Sequence, residues 1–142
     1  MSDKIVMVSG CYDLLHAGHV AFFKTAAQFG KLHVYVGQDQ NIKQLKGKAP
    51  YFSQDERKYM VGAIRYVEKA NIGSGFGMLD FADDMKQLKP DIFVVNHDGF
   101  TESKKQLCEE NGVELVVLDR IPEEGLPARS SSDSKKELKF PY

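Results

Sequence analysis

The sequence has no excess of charge of either sign, because 19 basic and 20 acidic residues leave a net charge of −1. A general nucleic-acid binder would present a basic face, so that class of protein is not expected. No run of 18 apolar residues is present, and residues 1–10 do not resemble a signal peptide, so neither a membrane span nor a leader is predicted. Cysteine is scarce, and Cys11 and Cys108 make no metal-type pair, which favours a reduced cytoplasmic protein.

The chain does contain enough apolar residues, 42% of 142, to build the core of one compact domain. Short apolar runs rich in β-branched residues predict strands at 4–10, 32–37, 91–96 and 113–119, with a weaker fifth strand at 66–73. Near-continuous apolar strands are typical of a parallel sheet that is buried on both faces.

Helical patterns alternate with these strands, at 18–29, from Ser53 onward, at 80–88 and at 101–111. Ser53 and Glu56 have the spacing of a capping box at the start of the second helix. The apolar face predicted for that helix consists of Tyr59, Met60, Ala63, Ile64 and Val67. The alternation predicts one α/β domain over residues 1–142, a Rossmann-like, doubly wound, five-stranded parallel sheet.

Two segments do not fit this alternation. Residues 38–52 form a long connection without a strong period, which predicts a mobile active-site loop. Residues 120–142 follow the last strand and are expected to form a C-terminal phosphate-binding segment and tail.

The turn after the first strand reads "SGCYDLLHAGHVAFF" and contains His16 and His19. Ligands bind at this position in such sheets, but the glycine pattern of a dinucleotide-binding turn is absent, so a dehydrogenase is not favoured. A helix N-terminus attracts phosphate, and two imidazoles three residues apart can donate hydrogen bonds to it. Gly18 between them would let a phosphate approach the backbone. Because no usual capping residue is present, we expect a bound triphosphate to complete this helix end.

The stretch "GCYDLLHAGHV" resembles the HxGH signature of the cytidylyltransferase-like nucleotidyltransferases, a Rossmann-like superfamily. The small glycerol-3-phosphate cytidylyltransferases and the heptose-phosphate adenylyltransferase domains are especially similar. The resemblance implies that His16 and His19 contact the phosphates of a nucleoside triphosphate. It also implies that Gly10, Cys11 and Tyr12 lie near the nucleotide, that Asp13 shapes the loop, and that the chain forms a homodimer.

A second cationic group lies at Lys46, Lys48 and Arg57. The family resemblance implies that one or both lysines contact phosphate and that the helix arginine helps to build the site. A cation in the first turns of a helix gains nothing from the helix dipole, so a buried or ligand-facing position is considered for Arg57, although a solvated face is the commoner position of a single arginine.

The segment "NHDG" ends the fourth strand, where the family has Gly-Asp-Asp-Trp, and only Asp98 matches. Asp98 could accept a hydrogen bond from a substrate or ribose hydroxyl, or it could be a turn or N-cap residue.

A third group lies in "DRIPEEGLPARSSSD", which resembles the R-T-x-G-I-S pattern of the family with an insertion. Arg120 matches the leading arginine, and Arg129 could do the same work. Ser130, Ser131 and Ser132 match the hydroxyl run and are predicted to bind phosphate at a helix start.

No nucleophile with a paired base is evident, which fits direct attack of an acceptor phosphate on the α-phosphorus of a nucleoside triphosphate. The predicted enzyme is a nucleotidyltransferase that moves CMP from CTP to a small phosphorylated alcohol of the glycerol-3-phosphate type. His16, His19, Lys46 and Arg120 are the predicted catalytic residues. Mg²⁺ would accompany the nucleotide without a protein metal site. Two alternatives stay open: an adenylyltransferase acting on a sugar phosphate, and a nucleotide-binding module without catalysis.

Overall fold

A computed structural model describes residues 3–119 and 122–127. Five strands form one sheet in which all the paired strands are parallel. The strands are β1 (Ile5–Gly10), β2 (Lys31–Val36), β3 (Lys69–Ile72), β4 (Ile92–Asn96) and β5 (Glu114–Leu118). Their spatial order is β3-β2-β1-β4-β5. The predicted Rossmann-like parallel sheet is therefore confirmed, including its weaker fifth strand.

Helices cover both faces of this sheet. They are α1 (Ala17–Ala26), α2 (Asp39–Lys46), α3 (Gln54–Gly62), α4 (Ala82–Leu88) and α5 (Glu102–Glu110). Side chains alternate along β1, so that Val6 and Val8 join the core beneath α1 and α3, whereas Met7 joins the core beneath α4 and α5. Burial on both faces explains why the strands are nearly continuous in apolar residues. No helix in the described part of the chain is long and apolar enough to cross a membrane.

The strand order places a switch point between β1 and β4. The connections after β1 and β2 lead to one edge of the sheet, and the connection from β3 to β4 returns across β2 and β1 to the other side. A crevice forms outside the carboxyl ends of the two strands from which such connections diverge. The residues that follow Gly10 and Asn96 therefore meet at this edge.

The expectation for residues 38–52 was wrong in its first half, because residues 39–46 form α2. This helix buries only two adjacent residues, Asn41 and Ile42. Only two of its eight residues, Ile42 and Leu45, are apolar, which is too few to show a helical period in the sequence.

Helix α3 begins as predicted, since the Ser53 side chain accepts a hydrogen bond from the backbone N of Glu56 at 3.3 Å. Its predicted apolar face was wrong at Tyr59 and Met60, but Ile64 and Val67 do pack on the core. Tyr59 is 77% exposed and Met60 is 46% exposed, whereas Arg57 and Val61 are the buried residues of the helix. Residues 63–67 follow the helix end, and Ile64 and Val67 pack on the core from there.

Candidate active site

The turn between β1 and α1 has an unusual backbone. Tyr12 has φ 53° and Leu14 has φ 47°, both in the left-handed region that non-glycine residues rarely adopt. The Tyr12 ring folds back beneath Gly10, where an added Cβ would lie 2.9 Å from the ring carbon Cζ. Only glycine fits this approach at the end of β1. Strained backbone of this kind is held by surrounding contacts and concentrates at functional sites.

Tyr12 packs in the core with 8% of its surface exposed, and its predicted position near the nucleotide stays a prediction. Its ring centroid lies 5.1 Å from that of Phe23 and 5.8 Å from that of His19. Burial raises the pKa of its hydroxyl far above the ordinary value, so the group is un-ionised. Tyr12 therefore supports the His19 ring from below.

The two histidines cap α1 themselves, which corrects the expectation that this helix end lacks a cap. The backbone N of Gly18 donates to His16 Nδ1 at 3.0 Å, and the backbone N of His16 donates to His19 Nδ1 at 3.2 Å. The pair reproduces a capping box with imidazole nitrogens in place of the usual oxygens. Sequence analysis missed this because histidine is not among the preferred N-cap residues.

The capping bonds fix the tautomer of both rings. A ring nitrogen that accepts a hydrogen bond carries no proton, so each neutral imidazole must carry its proton on Nε2. The rings lie close together, with centroids 4.0 Å apart, and His16 Nε2 is shielded from solvent. The pair therefore places two imidazoles, each protonated on Nε2, beside the positive end of a helix dipole, an arrangement that suits an anion.

Arg57 is buried under the β1 turn, where it donates hydrogen bonds to protein groups. It is 1% exposed, and its Nη1 donates to the carbonyl of Cys11 at 2.7 Å. Its Nε donates to the carbonyl of Phe52 at 2.9 Å, and its Nη2 donates to Asp39 Oδ1 at 2.7 Å. Of the positions considered for Arg57 the structure shows the buried one, and a direct nucleotide contact does not fit, because this guanidinium is enclosed by protein groups.

Asp13 makes a complementary tether from the other side of the turn. Its carboxylate is 5% exposed and accepts from the backbone N of Tyr51 at 2.7 Å and of Phe52 at 3.0 Å. Asp13 and Arg57 thus bind the same short segment, one through its N–H groups and one through a carbonyl. This segment connects α2 to α3, so its position relative to the β1 turn is fixed at two points.

Both predicted lysines lie beside this turn. A small cavity of about 80 Å³ is lined by Cys11, Asp13, Ile42, Lys46, Lys48, Ala49 and Pro50. Lys46 is the last residue of α2, Lys48 follows it, and both side chains are exposed. The fold therefore brings Lys46 and Lys48 to the residues that follow β1, and their contact with phosphate stays a prediction.

The remaining predicted residues divide into two groups. Asp98 is exposed on a 3-10 turn, His97–Gly99, directly after β4, and Thr101 instead caps α5 by accepting from the backbone N of Lys104 at 3.1 Å. Asp98 is thus at the expected edge of the sheet, and its contact with a hydroxyl stays a prediction. The third predicted group lies outside the described residues: Arg120, Arg129, Ser130, Ser131 and Ser132.

A polar group after β3 was missed by sequence analysis. Asp80 lies close to Asn41, Asp84 and Lys104, and burial raises the pKa of its carboxyl. Burial likewise lowers the pKa of the Lys104 ammonium, which lies 2.7 Å from the carbonyl of Gly99. The glycine-rich stretch "GSGFG" at 73–77 was the available signal for a functional loop here.

Comparison with known proteins gives concordant similarities. The model of the cytidylyltransferase-like family matches residues 7–137. The glycerol-3-phosphate cytidylyltransferase of Staphylococcus aureus is 33% identical over 137 residues, which cover 95% of each chain. The FAD synthase of Pyrococcus horikoshii is 36% identical over 121 residues, covering 82% of this chain and 79% of the relative. The crystal structure of a lipopolysaccharide core biosynthesis protein from Thermoplasma volcanium superposes with a TM-score of 0.69 at 25% identity, covering 85% of this chain and 98% of that one.

Proposed function

The chain belongs to the cytidylyltransferase-like family of nucleotidyltransferases, and from this premise we propose that it transfers CMP from CTP to a small phosphorylated alcohol of the glycerol-3-phosphate type, with release of pyrophosphate. The observation that carries the proposal is the histidine pair at the start of α1. Its capping bonds orient both imidazoles, with their protons on Nε2, beside a helix N-terminus at the switch point of the sheet. The similarity to a glycerol-3-phosphate cytidylyltransferase over nearly the whole chain supports the choice of substrates.

The reaction is an in-line displacement at phosphorus. A phosphate oxygen of the acceptor forms a bond to the α-phosphorus of CTP, the bond from that phosphorus to the bridging oxygen breaks, and pyrophosphate leaves with the electron pair. Negative charge grows on the α-phosphate and on the leaving group, so donors placed there stabilise the transition state. His16 and His19 supply neutral donors, and Lys46 and Lys48 supply positive charge.

Residues 120–142 complete the proposed machinery. Arg120 or Arg129, with Ser130, Ser131 and Ser132, would hold the β- and γ-phosphates as they leave. Residues 47–50, which lie between α2 and the tethered Tyr51 and Phe52, would close over the triphosphate and exclude water. Asp98 would accept a hydrogen bond from an acceptor or ribose hydroxyl.

Mg²⁺ is the proposed cofactor, and the donor set fits an ion that arrives with the nucleotide. The groups around the β1 turn are N–H donors and ammonium groups, while the Asp13 carboxylate is occupied by two backbone N–H groups. Within residues 3–119 and 122–127, no three His, Cys, Asp or Glu side chains form a metal site. Mg²⁺ often keeps several waters and binds substrate phosphates, where it neutralises part of their charge.

Adenylyl transfer from ATP is a second candidate. The similarity to FAD synthases, at 33 to 36% identity, is as strong as the similarity to the cytidylyltransferase. The acceptor would then be a sugar phosphate or another phosphorylated metabolite. The "NHDG" segment after β4 is compatible with this alternative, because it differs from the Gly-Asp-Asp-Trp pattern of the cytidylyltransferases.

The deciding experiment measures pyrophosphate release with CTP or ATP and Mg²⁺ against glycerol phosphate, other polyol phosphates, sugar phosphates and FMN. The proposal expects turnover with CTP and a polyol phosphate that is lost in His16→Ala and His19→Ala. Turnover with ATP alone would replace it by the second candidate. Nucleotide binding without turnover across the whole panel would indicate a binding module and overturn both.

The homodimer also stays a proposal. The exposed apolar side chains of α3, Tyr59 and Met60, are suited to a protein contact. Light scattering after size-exclusion chromatography should give twice the mass of the chain, and Tyr59→Glu should reduce it to the monomer mass. A monomer at all concentrations would refute the pairing.

A further inference from the structure

Helix α2 carries Lys46 and leads to Lys48, yet little apolar surface holds it in place. Only Asn41 and Ile42 are buried among its eight residues. Polar contacts at its N-terminal half hold it instead. The Gln54 side chain accepts from the backbone N of Asp39 at 2.9 Å, and Gln38 Nε2 donates to the carbonyl of Gly73 at 2.8 Å. The position of the two lysines therefore depends on hydrogen bonds to neighbouring loops.

The most enclosed of these contacts belongs to Asn41, which is 2% exposed. Its Oδ1 accepts from the backbone N of Gly77 at 2.7 Å, and its Nδ2 donates to the carbonyl of Gly77 at 3.2 Å. Nδ2 also lies 3.2 Å from Asp80 Oδ2. Both halves of the amide are used, so neither a carboxylate nor an apolar side chain can replace it. We call residues 73–80 the β3 loop, and these three bonds the Asn41 clasp.

The clasp is directly connected to the phosphate-facing cavity. Ile42, the next residue, lines that cavity together with Lys46 and Lys48. Its Cδ1 and Cγ1 atoms would lie 3.5 Å from a Cβ at Gly37, so it rests on the end of β2. A helix is rigid over two turns, so a shift at Asn41 is transmitted to Lys46.

We propose that Asn41 is a positioning residue that couples the β3 loop to the phosphate-binding lysines of α2. This inference rests on the proposed nucleotidyl transfer, because it assigns Lys46 and Lys48 to the triphosphate. The β3 loop also reaches toward α5, since Asp80 interacts electrostatically with Lys104. The clasp thus joins the connections after β2 and β3, with Lys104 of α5 beside Asp80, and it fixes the helix that carries the lysines.

The test replaces Asn41 by aspartate, which keeps the shape but loses both donor bonds and places a carboxylate against Asp80. CTP binding with Mg²⁺, measured by calorimetry, should weaken roughly tenfold, the effect of about 1.4 kcal/mol. Asn111→Asp is the matched control, because Asn111 Nδ2 donates to the carbonyl of Leu107 at 2.8 Å at the far end of α5. The control should leave CTP affinity unchanged.

A double-mutant cycle distinguishes positioning from general damage. In a background of Lys46→Ala and Lys48→Ala, Asn41→Asp should weaken CTP binding no further, because its effect passes through the lysines. Additive effects on CTP affinity would overturn the inference while leaving the proposed function intact.

A second variant breaks the clasp from its other side. Gly77 has φ 88° with open space around its Cβ position, so Gly77→Ala strains only the backbone of the β3 loop. Hydrogen exchange of the nucleotide-free protein should be faster at residues 43–50 in Gly77→Ala and Asn41→Asp than in Asn111→Asp. This readout needs no nucleotide, so it tests the coupling between the β3 loop and α2 separately from the proposed function, which would be refuted if wild-type protein bound neither CTP nor ATP. Equal exchange in all three variants would overturn the coupling.

Discussion

Replacing His16 by asparagine should separate its capping role from its proposed phosphate contact. The asparagine Oδ1 can accept from the backbone N of Gly18 in place of His16 Nδ1, which now does so at 3.0 Å. Asparagine has no group equivalent to the Nε2–H, so the donor to phosphate disappears. We therefore expect native stability together with a loss of roughly 10²-fold in kcat, the effect of removing one transition-state donor.

His16→Ala removes both the capping nitrogen and the Nε2–H donor, and it therefore gives the reference loss of stability and of kcat. Loss of an N-cap costs about 1 kcal/mol, which lowers the melting temperature of a domain of this size by about 4 °C. His19→Gln is the companion variant, because glutamine at the third helical position completes an ordinary capping box. The assays are thermal unfolding by circular dichroism and pyrophosphate release under saturating CTP.

Two results would refute this reasoning. If His16→Asn is as destabilised as His16→Ala, the imidazole does not act as the helix cap. If His16→Asn is as stable as wild type and retains full turnover, the Nε2–H donor has no part in the reaction.

Three further perturbations test the role of Arg57, the charged loop and the effect of pH. Arg57→Ala should lower the free energy of unfolding by about 3 kcal/mol, because two carbonyls and the Asp39 carboxylate lose the guanidinium that donates to them. A change below about 1 kcal/mol in urea titration would contradict this structural role of Arg57. Lys46→Ala with Lys48→Ala should raise the KM for CTP roughly tenfold or more, and CTP with Mg²⁺ should slow proteolysis within residues 47–52. Unchanged KM and cleavage would count against a closing segment. Burial lowers the pKa of His33 below its ordinary 6.5. The native state therefore binds fewer protons than the unfolded chain, and the free energy of unfolding falls as the pH drops through this range. His33→Gln should reduce this dependence of stability on pH, and an unchanged dependence would exclude His33 as its source.

The architecture could be predicted because central strands such as β1 and β4 are buried on both faces, and burial of this kind produces nearly continuous apolar runs. The β3 strand, Lys69–Ile72, alternates polar and apolar residues, so its signal in the sequence is weaker. Helix α2 was not predicted, because little of its surface is apolar and buried. Its contacts are mostly hydrogen bonds from Asn41, Gln38 and Asp39 to distant loops, and such contacts produce no periodic pattern.

The candidate site shows the same division. His16 and His19 could be identified because their spacing places both at one turn of a helix. The hydrogen bonds by which they cap α1 could not be predicted, because whether a histidine accepts from a backbone N–H depends on the φ and ψ angles of the turn. Arg57 was identified as unusual, but its neighbours come from segments 5 to 46 residues away and lie together only in the fold.

By itself, the sequence determined the strands, their alternation with helices, and the position of two imidazoles after the first strand, because these features depend on local composition and spacing. Only the tertiary structure decided that β1 lies between β2 and β4, that Tyr12 and Arg57 face inward, and that Asn41 joins α2 to the β3 loop. These depend on contacts between residues far apart in the chain, whose geometry is set when the layers pack and every buried polar group must find its partner.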